Sequence, residues 1–363
     1  MTSLNQLVAE IPATPLHPID DPGAGDTSDW NRYVASLDGA DWLEAPWFFV
    51  ETYFYRRIVA AMGYLTEPLY HVDPFSYQKQ TGLASNRAAI RSMAHVLTRS
   101  LRNRPLSRGA LSTLLRQSLW GNRADLSLWA ADDDSRGDLA QTDDYLVANH
   151  SEDVADILRN TAPDANILVV ADNAGLEFVG DLCLMDGLLS GNVASTIHVH
   201  VKAHPTFVSD VVAPDVGDII TFLRSSVDRR VQKLGGRLQA HLDAGRITMD
   251  APFFWTSPLP LWQMPTGIEA EMRDADLVIL KGDANYRRLL GDRHWPYDTP
   301  LSDATGYVPT PTLALRTLKS ELAAGIDPSD IERAASVSPD WDTSGEWGMI
   351  QLSHPSEGIG FRM

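Results

Sequence analysis

The chain has 363 residues, 44% of them hydrophobic, and 30 Lys and Arg stand against 48 Asp and Glu, a formal charge of −18. Length and apolar content support a globular fold with a real buried core, and the charge repels nucleic-acid backbones and anionic lipid, so neither is an expected partner. An anionic small substrate is admitted only where local positive charge or a metal ion overcomes that field.

The single cysteine, Cys183, rules out an internal disulfide. The sequence carries no signal-peptide pattern and no run of about 18 apolar residues, so the cytoplasm is the expected compartment. Residues 1–40, rich in Pro, Gly, Asp and Ser, are predicted to form an irregular leader. Residues 41–150 are predicted to form a helical subdomain. "APWFFVETYFYRRIVAAMGY" places aromatics at helical spacing behind a proline suited to a first turn, and "RAAIRSMAHVLTRSLRN" and "RGALSTLLRQSLWGN" repeat the pattern. "ADDDSRGDLAQTDD", residues 131–144, predicts a mobile loop just before a boundary near residue 150.

From 151 to 363 the pattern becomes strand, loop, helix. "NILVVAD" (166–172), "TIHVHVK" (196–202), "GRITMD" (245–250) and "ADLVILKGD" (275–283) are separated by helical segments such as "VGDIITFLRSSVDRRVQKLGGRLQAHLDAG". The expected fold is α/β, with a doubly wound, mostly parallel sheet in a Rossmann-like three-layer arrangement and an N-terminal all-helical subdomain.

In an open α/β sheet the ligand crevice lies beyond the carboxyl ends of the strands. Three strand exits here are strongly polar. The first delivers Asp172, Asn173 and, a helical turn on, Glu177; the second runs through "KAHPTFVSD" to Asp210; the third, "KGDANYRR", delivers Lys281, Asp283, Asn285 and Arg287. Carboxylates and an amide converging without Cys form a hard, oxygen-rich set suited to Mg²⁺ or Mn²⁺, and the lysines and arginines supply what a phosphate needs. Each motif alone is also an ordinary helix cap or turn former. Their joint occurrence at three exits favours a site.

Other strings are weaker. His198 and His200 share a strand face, with His204 following, and an imidazole pair packed under a helix explains them better than a metal cluster. No GxSxG elbow occurs, and Cys183 reads as packing. Arg56 and Arg57 point apart on a helix, so at most one faces a cleft. "WGN" at 120–122 reads either as a cleft wall or as a Trp packed into a seam.

"ADNAGLEFVGDLCLMDGLL", "FVSD", "LVILKGDANYRRLLGDRHW" and "LALRTLKSE", with "WLEAPWFFVETYFYRRI" and "QSLWGNRADLSL" earlier in the chain, carry a resemblance over residues 42 to 350. The chain resembles the metal-dependent damage-control phosphatases, formerly domain of unknown function 89, in the branch marked by an Arg-Thr-x-Lys motif. That branch contains sugar-phosphate phosphatases and the protein described as an acidic-residue methyltransferase. The resemblance implies that Asp172, Asn173 and Asp210 are catalytic and hold one divalent ion, Mn²⁺ first, with Co²⁺, Ni²⁺ or Mg²⁺ as alternatives. It implies substrate contact by Asp283, Ala284, Asn285, Tyr286 and Arg287, phosphate binding by Lys319, and a site position for Glu177. Lys281 and Arg287 are read as helping Lys319 to balance phosphoryl charge. Asn285 and Tyr286 are read as pairing with sugar hydroxyls.

The expected function is hydrolysis of small phosphate esters, fructose 1-phosphate or fructose 6-phosphate by family analogy. The nucleophile is a water activated by the ion or a carboxylate, Asp172 before the others. The alternatives are S-adenosylmethionine-dependent methyl transfer to protein carboxylates, for which the loop has only Gly175 where a nucleotide loop needs several glycines, and a non-catalytic sugar-phosphate binder. Oligomeric state is not readable from the sequence.

Overall fold

The computed structural model describes residue 7 and residues 14–66, 72–122 and 143–356. Five helices come first: α1 (Thr27–Ala35), α2 (Trp47–Ala61), α3 (Ser76–Ser85), α4 (Arg87–Ser100) and α5 (Arg108–Leu119). Then follow β1 (Leu146–Asn149), α6 (Ser151–Thr161), β2 (Ala165–Val170), α7 (Leu176–Ser190), β3 (Ala194–His200), α8 (Ala213–Arg224), α9 (Arg229–Asp243) and β4 (Ile247–Asp250). The remainder is α10 (Thr266–Asp274), β5 (Leu277–Lys281), α11 (Gly282–Leu290), α12 (Leu301–Thr305), β6 (Thr312–Thr317), α13 (Pro328–Val337) and β7 (Gly348–Ser353).

The strands form one sheet in the order β1-β7-β6-β5-β2-β3-β4. Every pairing is parallel except β6 with β7. Both faces are covered, and single strands show it: Ile167 and Val169 of β2 enter one core, Leu168 and Val170 the other. This is why the strands read as continuous apolar runs. The chain leaves β2 toward β3 and β4, then returns to pair β5 against the other side of β2. The direction of winding therefore reverses between β2 and β5, which is where an open sheet leaves a crevice.

Several boundaries differ from the sequence reading. The predicted leader contains α1, whose Trp30 and Val34 pack with Trp42, Phe49 and Tyr53 into a small separate core. The helices Leu83–Leu119 share a core with the sheet and with α7; an amphipathic pattern reveals an apolar face but not what covers it. Strand β1 pairs with β7 before residue 150, so the sheet begins inside the predicted helical segment. The single long helix read after residue 215 is two, because Asp228 accepts hydrogen bonds from the backbone N–H groups of Arg230 and Val231 and starts α9 afresh. The loop predicted at 131–144 lies outside the described residues up to 142.

Candidate active site

A cleft of about 810 Å³ opens at the carboxyl ends of β2, β5 and β6. Seven of the residues singled out from the sequence line it: Asp172, Asn173, Asp210, Asp283, Ala284, Arg287 and Lys319. Glu51 and Trp47 of α2, Asp292, His294 and Glu321 complete its polar wall and rim.

Backbone bonds between loops fix the carboxylates. Ala171 N–H donates to the His200 carbonyl at 2.9 Å, Val211 N–H to the Asp172 carbonyl at 2.8 Å, and Ala174 N–H to the Ser209 carbonyl at 2.7 Å. These bonds stitch the exits of β2 and β3 together. The turn leading to Asp210 carries Phe207 and Val208 at φ of 45° and 64°. Positive φ at a β-branched residue is strained backbone, the kind that persists where a loop must present a side chain. The Phe207 ring is braced against Phe48, 6.4 Å between centroids, and against Tyr55 at 5.4 Å.

Asn173 donates to Asp172 Oδ2 at 3.0 Å and to Glu177 Oε2 at 2.8 Å, while its Oδ1 accepts from Ser209 Oγ at 2.5 Å. Burial pushes the Asp172 carboxyl up to about 7, with Lys202 opposing. Burial likewise takes Asp210 up to about 7, again against Lys202. Lys202 was not singled out from the sequence. Its ammonium is fully buried, 3.2 Å from Asp210 Oδ2 and 3.9 Å from Asp172 Oδ1.

At the exit of β5, Gly282 takes φ +83° and passes so close to Asp172 that a Cβ would lie 1.8 Å from its Oδ2. Only glycine fits there. Asp283 accepts from Arg316 Nε at 2.7 Å and from Ser320 Oγ at 3.3 Å. Arg316 is the Arg of the Arg-Thr-x-Lys string. It also donates to the carbonyls of Ser320, at 2.9 Å, and Leu322, so it shapes the turn that carries Lys319. Lys319 is exposed and, among the described residues, makes no hydrogen bond or ion pair. Arg287 is held by Asp292 at 2.7 Å and Glu51 at 3.3 Å, over the Phe48 ring.

The structure sets four of the sequence-predicted residues off this cleft. Glu177 is buried beside Asn173 and lines an adjoining cavity of about 260 Å³. Lys281 is buried, 3.0 Å from Asp181 Oδ1 and 3.7 Å from Glu177 Oε1, and donates to the Ser118 carbonyl at 2.7 Å. It braces α7 against α5 and is not placed to meet a phosphoryl group. Asn285 donates to the Lys281 and Ala171 carbonyls at 2.8 and 3.3 Å. Tyr286 donates its hydroxyl to Gln351 Oε1 at 2.7 Å under the opposite core. Successive helical residues point different ways, so the "DANYR" string sends Asp283, Ala284 and Arg287 to the cleft and buries the two between them.

Arg56 is buried against Asp21 and Asp26, at 2.9 and 2.8 Å, and Arg57 bonds Tyr53; neither lines the cleft. Trp120 packs into the core. Cys183 is buried, and burial pushes its thiol up, away from reactivity.

Among the described residues two sets of side chains have ligand chemistry. His198, His200 and Glu271 bring their donor atoms within 4.8 Å of one another. Trp255 Nε1–H donates to His200 Nδ1 at 3.0 Å, which leaves the His200 proton on Nε2, facing Glu271 at 2.9 Å. An ion on Nε2 would have to displace that proton. The set at the cleft, Asp172, Asp210 and the Asn173 amide, offers only oxygen donors, the chemistry a hard divalent ion takes. These residues fit such an ion.

Sheet and cleft define an open α/β protein that presents an acid-rich ligand crevice at its switch point. A family model described as the damage-control phosphatase ARMT1-like domain matches residues 3–333. Damage-control phosphatase ARMT1 of Mus musculus is 33% identical over 97% of this chain and 85% of its own length. The Homo sapiens protein of that name is 32% identical over 91% and 81%, and the Danio rerio one 30% over 92% and 80%. A duf89 family protein from Pyrococcus horikoshii superposes with TM-score 0.45 at 15% identity, covering 84% of this chain and 90% of that one. The chain belongs to the damage-control phosphatase ARMT1-like family, and its class is that of a phosphatase, a hydrolase. Among the described residues no helix is long and apolar enough to cross a membrane.

Proposed function

We propose that this protein is a divalent-metal-dependent phosphatase of small phosphorylated metabolites, with sugar phosphates such as fructose 1-phosphate or fructose 6-phosphate as first candidates, working in the cytoplasm. One observation carries the reading: Asp172, Asn173 and Asp210 share a cleft with Lys319 and Arg287, so an oxygen-donor set for an ion faces two cations. Asp172, Asn173 and Asp210 would hold the ion, Mn²⁺ in the first instance. Such an ion supplies charge neutralisation and Lewis acidity toward phosphoryl oxygens.

The side chains do the rest. Lys319 donates charge-assisted hydrogen bonds to the phosphoryl oxygens, its exposed ammonium having no partner to leave among the described residues. Arg287, kept over Phe48 by Asp292 and Glu51, presents its cation to the same space. Glu321 and the unshared oxygens of Glu51 and Asp292 accept from substrate hydroxyls, which favours a polyhydroxylated leaving group. Trp47 at the rim offers an apolar ring face to the sugar. The cytoplasmic assignment is supported by the single cysteine.

The test is phosphate release from a panel of sugar phosphates by chelator-stripped protein, with Mn²⁺, Co²⁺, Ni²⁺ or Mg²⁺ returned singly. Release should require the metal and disappear in Asp210→Ala without loss of the fold. Full activity in that variant, or no release with any of the four ions, sinks the reading.

A further inference from the structure

We propose that Lys202 is a positioning residue that sets the Asp172 and Asp210 carboxylates to face the cleft. The inference rests on the reading of those two acids as metal ligands. Lys202 follows β3 by two residues, its side chain is wholly buried, and it does not line the cleft. Its backbone position is fixed, because Lys202 N–H donates to the Val211 carbonyl at 2.9 Å while Val211 N–H donates to the Asp172 carbonyl at 2.8 Å. Three backbones are therefore locked, and only side-chain orientation remains to be set.

Among the described residues the ammonium pairs with two carboxylates and no other acid: Asp210 Oδ2 at 3.2 Å and Asp172 Oδ1 at 3.9 Å. A buried lysine is expensive to desolvate and needs its charge compensated. This one lies between the two acids that share the cleft, and it makes no directed hydrogen bond to either. Attraction from behind holds Asp210 Oδ2 and Asp172 Oδ1 toward the ammonium, while Asn173 holds Asp172 Oδ2, so the rotation of both carboxylates is set from the buried side. Charge points the same way. Two carboxylates and a divalent ion sum to zero; with Lys202 the group carries one net positive charge, which suits a dianionic phosphoryl group in an acidic protein. Lys202 thus acts through the carboxylates and does not touch the substrate.

The experiment titrates chelator-stripped wild type, Lys202→Met and Lys202→Gln with Mn²⁺, reading free Mn²⁺ by its paramagnetic resonance, with circular dichroism to verify folding. Lys202→Met should bind Mn²⁺ about 10- to 100-fold more weakly, the range seen when partners of metal ligands are removed. At saturating Mn²⁺ the loss should fall on kcat, with KM for the phosphate ester within about twofold, because the ammonium never reaches the cleft. Should Lys202→Met not fold, Lys202→Gln, uncharged but able to donate to Asp210, carries the same threshold. A folded variant that binds Mn²⁺ as tightly as wild type, or one whose defect lies in KM alone, overturns the inference and leaves the phosphatase reading standing. Wild type that binds no Mn²⁺ removes both.

Discussion

Gly282→Ala is a one-carbon change whose effect can be worked from geometry. The residue sits at φ +83°, and an added Cβ would lie 1.8 Å from Asp172 Oδ2, 2.2 Å from its Cγ and 2.7 Å from its Cβ. A left-handed backbone costs a non-glycine residue about 1–2 kcal/mol. The contact is about 1.5 Å or more short of van der Waals separation, so side chain or helix start must move, and overpacking of that kind costs a further ~1–3 kcal/mol. Asp172 has little freedom to yield, since Asn173 holds its Oδ2 at 3.0 Å and Asn173 is itself held by Ser209 and Glu177. We expect a loss of about 2–5 kcal/mol in urea unfolding of the metal-free protein, and Mn²⁺ binding weakened at least tenfold through the displaced carboxylate. Metal-free stability within about 0.5 kcal/mol of wild type, together with undiminished Mn²⁺ binding, would refute the argument that this close approach builds the site.

The pH dependence follows from the two raised carboxyls. Both titrate near 7 in the fold against an ordinary value of 3.8, so between about pH 4 and 7 the folded state binds more protons than the unfolded one, and these groups lower metal-free stability as pH rises. An ion competes with the same protons. The increment in melting temperature given by Mn²⁺ should therefore grow from pH 5 to pH 7.5 and level off above it; an increment independent of pH would show that other groups bind the ion. Lys319→Ala should raise KM for the phosphate ester with Mn²⁺ affinity unchanged, and unaltered kinetics would deny it the phosphate. Arg316→Ala should show the same defect plus a measurable loss of stability, since it frees Asp283 and the Ser320 and Leu322 carbonyls at once. A variant as stable and active as wild type would dismiss its part in shaping the turn.

The strands at the centre of the sheet were legible because burial on both faces makes them apolar throughout, and their polar exits stood out against that background. β6 and β7 were not. "TLALRT" and "GMIQLS" bury Thr312, Arg316, Thr317, Gln351 and Ser353, and three of these have partners far off in sequence: Asp283 for Arg316, Tyr286 for Gln351 and Thr305 for Ser353. A buried polar residue with a distant partner looks like loop until the partner is known. Lys202 was hidden differently: its partner Asp210 ends the same string "KAHPTFVSD", and only the folded loop turns the two side chains to meet in the interior. Within "DANYR" the residue types were visible but their directions were not, because helix α11 starts at Gly282 and its first turn divides the string between cleft and core.

Charge resolves the tension between an acidic protein and an anionic substrate. Six acids line the cleft, Glu51, Asp172, Asp210, Asp283, Asp292 and Glu321, against the two fixed cations Arg287 and Lys319. If all are ionised the balance is 6 − 2, four negative charges, and a phosphate dianion is repelled as it is by the protein as a whole. Arg316 behind Asp283 and Lys202 behind Asp172 and Asp210 cancel two of these from positions the substrate cannot reach. A divalent ion cancels the other two. On this count the proposed ion would serve substrate entry as much as bond cleavage, and the buried cations leave a balance that one divalent ion would close.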